Sequence, residues 1–133
     1  MNKIIMAFIV LVASCTPAAA FGLTIETREY RDRVCYDGDT CTSSEGEKIR
    51  LACIDTPEIR GKRAKPNEAI AAKNFLNEKI KGKKVSVRRV TEDKYGRTVG
   101  ELSFNGENIQ ELLVKEGHAE IYKKYSKPCK WAS

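Results

Sequence analysis

VCYDGDTCTSSEGEKIRLACIDTPE, residues Val34 to Glu58, decides how the rest of the chain is read. Alternating segments run up to Asp37 and from Lys48 to Ile54 around the polar run Ser43-Ser44-Glu45-Gly46, which is the pattern of a β-hairpin. Acids stand where the strands give out, at Asp37, Asp39, Asp55 and Glu58, with Arg50 in the strand among them. Gly38, between two aspartates, predicts a bulge or a positive φ. Turn capping is the ordinary work of aspartate at strand ends, and Asp37 is assigned to it, bracing the Gly38 turn. The other three carboxylates, gathered with an arginine in one hairpin, point to a hard-cation site with a general base beside it.

Outward from the hairpin, residues 21–33 alternate weakly and predict a leading strand. Residues 59–66 (IRGKRAKP) form a loop with four cations, solvated or facing phosphate. Asn67 to Lys81 reads as a helix capped by Asn67, with Ala69, Ala72, Leu76 and Ile80 on its apolar face, Phe75 alongside and Gly82 as its stop. Lys83 to Val90 alternates as a half-buried strand, Thr91 to Gly96 turns, and Thr98 to Phe104 is a further strand closed by Asn105-Gly106. Asn108, with Glu111 three residues on, opens a short helix that ends at Gly117. His118 is placed on the surface at that exit, and Trp131 in packing. About five strands and two helices predict an α+β fold, an OB-type barrel with helices packed on it, with a split βαβ sandwich as the alternative.

The 133 residues make one domain, residues 21–133, with 24 Lys and Arg against 18 Asp and Glu, a formal charge of +6 and a pI of about 9.1. Such a balance favours an acidic partner, nucleic acid or an anionic membrane surface. Residues 1–20 read as an export signal: Lys3, an apolar run from Ile4 to Ala13, and small residues Ala18-Ala19-Ala20 before Phe21. Val12-Ala13-Ser14-Cys15 offers a second exit as a lipoprotein box, with Cys15 as a lipidated anchor. Either route leaves Cys35, Cys41, Cys53 and Cys129, an even set that predicts two disulfides, one tying Cys129 and the tail to the hairpin. Zinc is disfavoured by the single histidine and the absence of CxxC.

Three segments in order, Asp37-Gly38-Asp39-Thr40, then Arg50-Leu51-Ala52-Cys53-Ile54-Asp55-Thr56-Pro57-Glu58, then Asp93-Lys94-Tyr95-Gly96-Arg97, resemble the successive motifs of the staphylococcal nuclease (thermonuclease) family. The resemblance runs from Val34 to Tyr125 and looks like that of an exported bacterial member. It implies an OB-fold, calcium-dependent phosphodiesterase acting on DNA and RNA as a monomer and leaving 3′-phosphate ends. Carried over position by position, it implies Asp39, Asp55 and the carbonyl of Thr56 as ligands of Ca2+. Glu58 matches the general base, Arg50 and Arg97 the arginines on the phosphate, and Lys94, Tyr95 and Tyr125 the nucleotide contacts. The chain departs from the family in a shorter basic loop after Glu58 and in Lys123, where a further nucleotide-facing tyrosine is expected. A disulfide through Cys129 is expected to supply the stability that an additional C-terminal helix gives longer members.

The chemistry stands beside the resemblance. Calcium takes several oxygens in a loose shell, which two carboxylates, a carbonyl, water and a phosphate oxygen supply. Two guanidiniums reward the extra negative charge of a pentacoordinate phosphorus, and arginine's planar fork binds two oxygens at once. The rival readings are a silent nucleic-acid-binding module and a surface lipoprotein that binds protein or sugar; neither needs the intact set Asp39, Asp55, Glu58 and Arg50.

Overall fold

The computed structural model of the chain describes residues 25–30 and 35–133. The export signal read in residues 1–20 lies outside the described residues. Of the leading segment, Ile25–Tyr30 is strand β1. The hairpin follows as β2 (Thr40–Thr42) and β3 (Lys48–Leu51), then β4 (Ile54–Asp55). Helix α1 (Pro66–Ile80) leads to β5 (Lys83–Glu92) and β6 (Thr98–Phe104). Then come β7 (Glu107–Asn108), α2 (Ile109–Lys115) and β8 (Glu120–Ile121).

The strands pair in the order β1-β5-β6-β3-β2, with β7 added beside β6. Every pair is antiparallel except β3 with β6, which run parallel in the register Ile49↔Thr98, Arg50↔Val99 and Leu51↔Gly100. That parallel contact carries the Arg50 strand alongside the Arg97 strand, although the two residues lie far apart in sequence. A register shift between Arg89 and Thr91 bends β5, and bulges of this kind let a sheet curl. β4 leaves the main sheet and pairs with β8. The result is a curled OB-type sheet of five principal strands with two helices, an α+β fold as the alternation predicts.

The core follows the predicted faces. Ala69, Ala72, Leu76 and Ile80 of α1 are fully buried, at the i, i+3, i+7 and i+11 spacing of one helix stripe. Leu76 and Ile80 share a core cluster with Ile49, Leu51, Val85, Val87 and Leu102 from the sheet and Ile109 and Leu113 from α2. Gln110 is a buried polar residue that the apolar pattern does not flag. Its amide oxygen accepts from Leu102 N at 2.9 Å and its Nε2 donates to Gly100 O at 2.9 Å and Ala52 O at 3.4 Å. A buried amide so completed fixes α2 against both β6 and the end of β3.

Several boundaries depart from the expectation. α1 starts at Pro66 and its N-cap is Lys65, with no side-chain cap; Asn67 is therefore inside the first turn, because proline's fixed φ suits the first helical position. The segment Lys48–Ile54 is not one strand: Cys53 takes φ 70°, a left-handed conformation rare outside glycine, and turns the chain between β3 and β4. The strand expected up to Asp37 is reduced to a single bridge, Cys35 to Cys41, and the aspartates precede β2 instead. α2 does open on Asn108, whose side chain accepts from Glu111 N at 2.9 Å. His118 is half-buried, its ring 4.6 Å from that of Phe75, so it packs where surface exposure was expected.

Two disulfides form, Cys35–Cys41 and Cys53–Cys129. The second closes 76 residues and ties the tail to the β3–β4 corner, while the first closes only six. In the loop-entropy account the long closure stabilises by about 4 kcal/mol and the short one by about 2 kcal/mol. Cys129→Ser is therefore expected to lower the unfolding free energy about twice as much as Cys41→Ser in denaturant titrations; equal losses, or the reverse order, would contradict the entropic assignment.

Candidate active site

The hairpin acids are held by the helix beneath them. Of the two expectations for it, a bulge or a positive φ, Gly38 does not adopt the positive φ. What it provides is proximity: a Cβ there would lie 2.7 Å from Ala72 Cβ and 2.9 Å from Thr56 Cγ2. The loop thus lies against α1 and against Thr56, just beyond β4. Asp37 accepts from Asp39 N at 3.0 Å and braces the turn, as its position predicts. Asn77, on α1, clasps the start of the loop, accepting from Cys35 N at 3.1 Å and donating to Cys35 O at 3.5 Å. The Cys35–Cys41 bond encloses Tyr36 to Thr40, so the whole DGD segment sits inside a small covalent ring.

Arg50 sits at the centre. Its Nη1 donates to Leu51 O at 2.6 Å and its Nη2 to Ile54 O at 2.9 Å, which fixes the guanidinium across the β3–β4 corner. The same Nη2 lies 3.2 Å from Asp39 Oδ2 and 4.0 Å from Asp55 Oδ1. Asp39 is buried, whereas the Asp55 side chain is 64% exposed. Burial pushes the Asp39 carboxyl up to about 6, against the pull of the Arg50 charge; the neighbouring Asp37 charge raises it further. Asp39 also accepts from Thr40 Oγ1 at 3.2 Å.

Arg97 reaches the same place from the DKYGR turn. Asp93 builds that turn by accepting from Tyr95 N at 2.9 Å and Arg97 N at 3.0 Å through one oxygen, and from Arg97 Nε at 2.6 Å through the other. Arg97 Nη1 then lies 3.4 Å from Thr40 Oγ1. Thr40 therefore joins the two halves of the site, one hydroxyl between Asp39 and Arg97. Asp93, Thr40 and Asn77 are positioning residues to which sequence reading assigned no such role; the DKYGR and DGDT motifs contained the first two without saying what they touch.

Two clefts meet at Arg50. One is lined by Asp37, Asp39, Arg50, Asp55, Thr56 and Glu58, with Tyr36 and Arg60 at its rim. The other carries Lys94, Tyr95, Arg97, Tyr122, Lys124 and Tyr125. Every sequence-predicted site residue falls in one or both. Tyr122, 5.0 Å from Tyr125 in an edge-on arrangement and one position before Lys123, lines the second cleft. Glu58 is exposed and its carboxylate makes no hydrogen bond or ion pair with the described residues.

The donor set suits a hard cation. Among the described residues no three His, Cys, Asp or Glu side chains gather closely enough to cage a metal by themselves. Asp39 and Asp55 offer oxygen only, and a cation held by two carboxylates leaves its remaining positions to carbonyl, water and substrate oxygens, as calcium tolerates. A buried carboxylate with its pKa raised is also one whose charge lacks full compensation, which a bound cation supplies.

Two predictions follow from this geometry. The close approach at Gly38 makes Gly38→Ala destabilising by about 1–3 kcal/mol, because a Cβ meets another Cβ that cannot swing away. In the same thermal melts Ala72→Gly is expected to cost less in the Gly38→Ala background than in the wild type, and an equal cost in both would show that this contact is not the cause. Asp39 has a pKa raised by folding, so its contribution to stability is full below the ordinary carboxylate value of 3.8 and is lost as pH rises through about 6. Without calcium, Asp39→Asn is expected to be the more stable protein at pH 7.5 and to lack the wild-type's decline between pH 4 and pH 6. Glu47, held down to about 2 by Arg89 and Arg28 against desolvation, titrates below that window. A less stable Asn variant at pH 7.5 would mean that the Arg50 pair outweighs burial.

Comparison with known proteins places this geometry. A family model described as staphylococcal nuclease homologue matches residues 48–132. The chain is 37% identical over 87 residues to staphylococcal-like nuclease CAN1 of Arabidopsis thaliana, covering 63% of this chain and 25% of that protein. It is 34% identical over 96 residues to an uncharacterized endonuclease of Haemophilus influenzae, covering 68% and 50%, and 31% identical over 94 residues to one of Escherichia coli O157:H7, covering 68% and 58%. The aligned stretch thus spans between a quarter and somewhat over half of these relatives. With the family model matching most of its length, and the motifs in family order on an OB-type sheet, the chain belongs to the staphylococcal nuclease family.

Proposed function

We propose that this protein is a calcium-dependent nuclease that hydrolyses phosphodiester bonds of DNA and RNA and leaves 3′-phosphate ends. The observation that carries the reading is Arg50, whose one guanidinium borders both the acid cleft and the cationic, tyrosine-lined cleft. A phosphate at that junction faces carboxylates able to hold a cation on one side and nucleotide-binding side chains on the other. Relatives named nuclease and endonuclease support the activity.

Asp39, Asp55 and the carbonyl of Thr56 would hold the calcium ion, which when bound polarises a phosphoryl oxygen and gathers the attacking water. Glu58 takes the water's proton; its carboxylate is exposed and uncommitted to any described partner, as a base must be. Arg50 spends three contacts on Leu51 O, Ile54 O and Asp39. A guanidinium has about five N–H donors, so donors remain for phosphate. Arg97, fixed at Nε by Asp93, meets the phosphate from the other side. Both charges are in place before the substrate arrives, so little reorganisation opposes the developing negative charge. Lys94, Tyr95 and Tyr125 receive the adjoining nucleotide through charge and ring faces. We also place the protein outside the cytoplasm, as a secreted or periplasmic species or one anchored through Cys15. Residues 1–20 and the two disulfides support that location.

Incubation with single-stranded DNA is expected to give cleavage in calcium and none in EGTA. Glu58→Gln is expected to lower kcat by about 10²–10⁴-fold, and Arg97→Lys by about 10²-fold, because lysine lacks the planar fork. Undiminished cleavage by Arg97→Lys would remove that residue from the phosphate. Tight binding without cleavage in any metal would make the protein a binding module.

A further inference from the structure

Of the five tyrosines, Tyr30 is buried in the core and the other four are exposed. All four line the two clefts that meet at Arg50. Tyr95, Tyr122 and Tyr125 share the cationic cleft. Tyr36 stands at the rim of the acid cleft, 57% exposed, and no motif marks it.

A single exposed aromatic is ordinary; Tyr36 differs in being held. Its hydroxyl is bonded to Thr42 Oγ1 at 3.2 Å and its backbone N donates to Thr40 O at 2.9 Å. Cys35 beside it is locked to Cys41 and clasped by Asn77. The ring is therefore positioned before any ligand arrives, which lowers the ordering cost of binding. The local charge explains why an aromatic is useful here. Beyond the reacting phosphate that calcium and Arg50 would hold, this cleft sets only Arg60 against its four carboxylates, and a base stacks on a neutral ring without needing a positive field.

We propose that Tyr36 is a stacking platform for the base on the side of the scissile phosphate opposite Tyr95, Tyr122 and Tyr125, with Arg60 meeting the next phosphate. The inference rests on the nuclease reading for the position of that phosphate. Its consequence is that a base is gripped on each side of the scissile phosphate, one on Tyr36 and one among Tyr95, Tyr122 and Tyr125.

The test is binding, measured by fluorescence anisotropy in calcium on a Glu58→Gln background, with a single-stranded oligonucleotide and with versions carrying one abasic residue at each position in turn. Adding Tyr36→Ala is expected to weaken binding of the intact oligonucleotide by about 10-fold, within the range for one stacked base. Tyr36→Phe, which keeps the ring and loses only the bond to Thr42, is expected to retain most of the affinity, and Tyr36→Ala to leave the slope of log K against log salt unchanged. One abasic position is expected to reproduce the loss, and at that position Tyr36→Ala adds nothing further. Unchanged affinity in Tyr36→Ala, or an equal loss whichever base is missing, would overturn the proposal. Cleavage by the protein with Glu58 intact is scored separately, so a failed nuclease reading would show there and a failed platform here.

Discussion

The site depends on one guanidinium. Arg50 bonds to two carbonyls of its own chain, Leu51 O and Ile54 O, and with the same Nη2 approaches Asp39 and Asp55. The carbonyl bonds hold the corner at which β3 leaves the main sheet and β4 begins, and that corner sets Asp55, Thr56 and Glu58 beyond it. Beside these contacts the guanidinium keeps further N–H donors, which is what its proposed role on a phosphate needs. A neutral residue there would release the corner and leave Asp39 buried without its opposing charge, so structure and chemistry cannot be separated at this position.

Around Arg50, each functional segment is constrained twice. The Asp39 loop is enclosed by Cys35–Cys41 and laid against Ala72 through Gly38. The β3–β4 corner is closed by Cys53–Cys129 and by Tyr122 N donating to Cys53 O at 2.8 Å. That hydrogen bond brings the tyrosine-bearing tail to the cleft lined by Tyr95 and Lys94, so the long disulfide shapes that cleft as well as stabilising the chain. Left-handed backbone at Cys53 costs about 1 kcal/mol or more, and it is held between these two restraints. In a small domain such covalent ties stand in for the rigidity that a larger core would otherwise supply.

Much of this was legible in the sequence, and the reason is local. The helix stripe Ala69-Ala72-Leu76-Ile80, the Asn108 cap and the polar turn at Ser43–Gly46 each depend on residues close in the chain. The three motifs carried the acids and arginines, and the sheet brings their residues to one place. What escaped reading depends on contacts between distant segments. Gly38 reads as a bulge or a positive φ, and what requires glycine there is Ala72 lying against it. Asn77 looked like an ordinary helical residue, yet it holds Cys35, 42 positions away. Tyr36 has no neighbourly pattern at all, and only the fold brings it to the rim of the acid cleft. Helix and strand periodicity report burial; they do not report which two surfaces touch.

The most direct test of the account is a crystal structure of the Glu58→Gln protein with calcium and a short single-stranded oligonucleotide. The account predicts one ion against Asp39, Asp55 and the Thr56 carbonyl, with a phosphate between that ion and the guanidiniums of Arg50 and Arg97. An ion bound elsewhere, or a phosphate held by the Arg60–Lys65 loop while Arg50 keeps only its carbonyl partners, would contradict it.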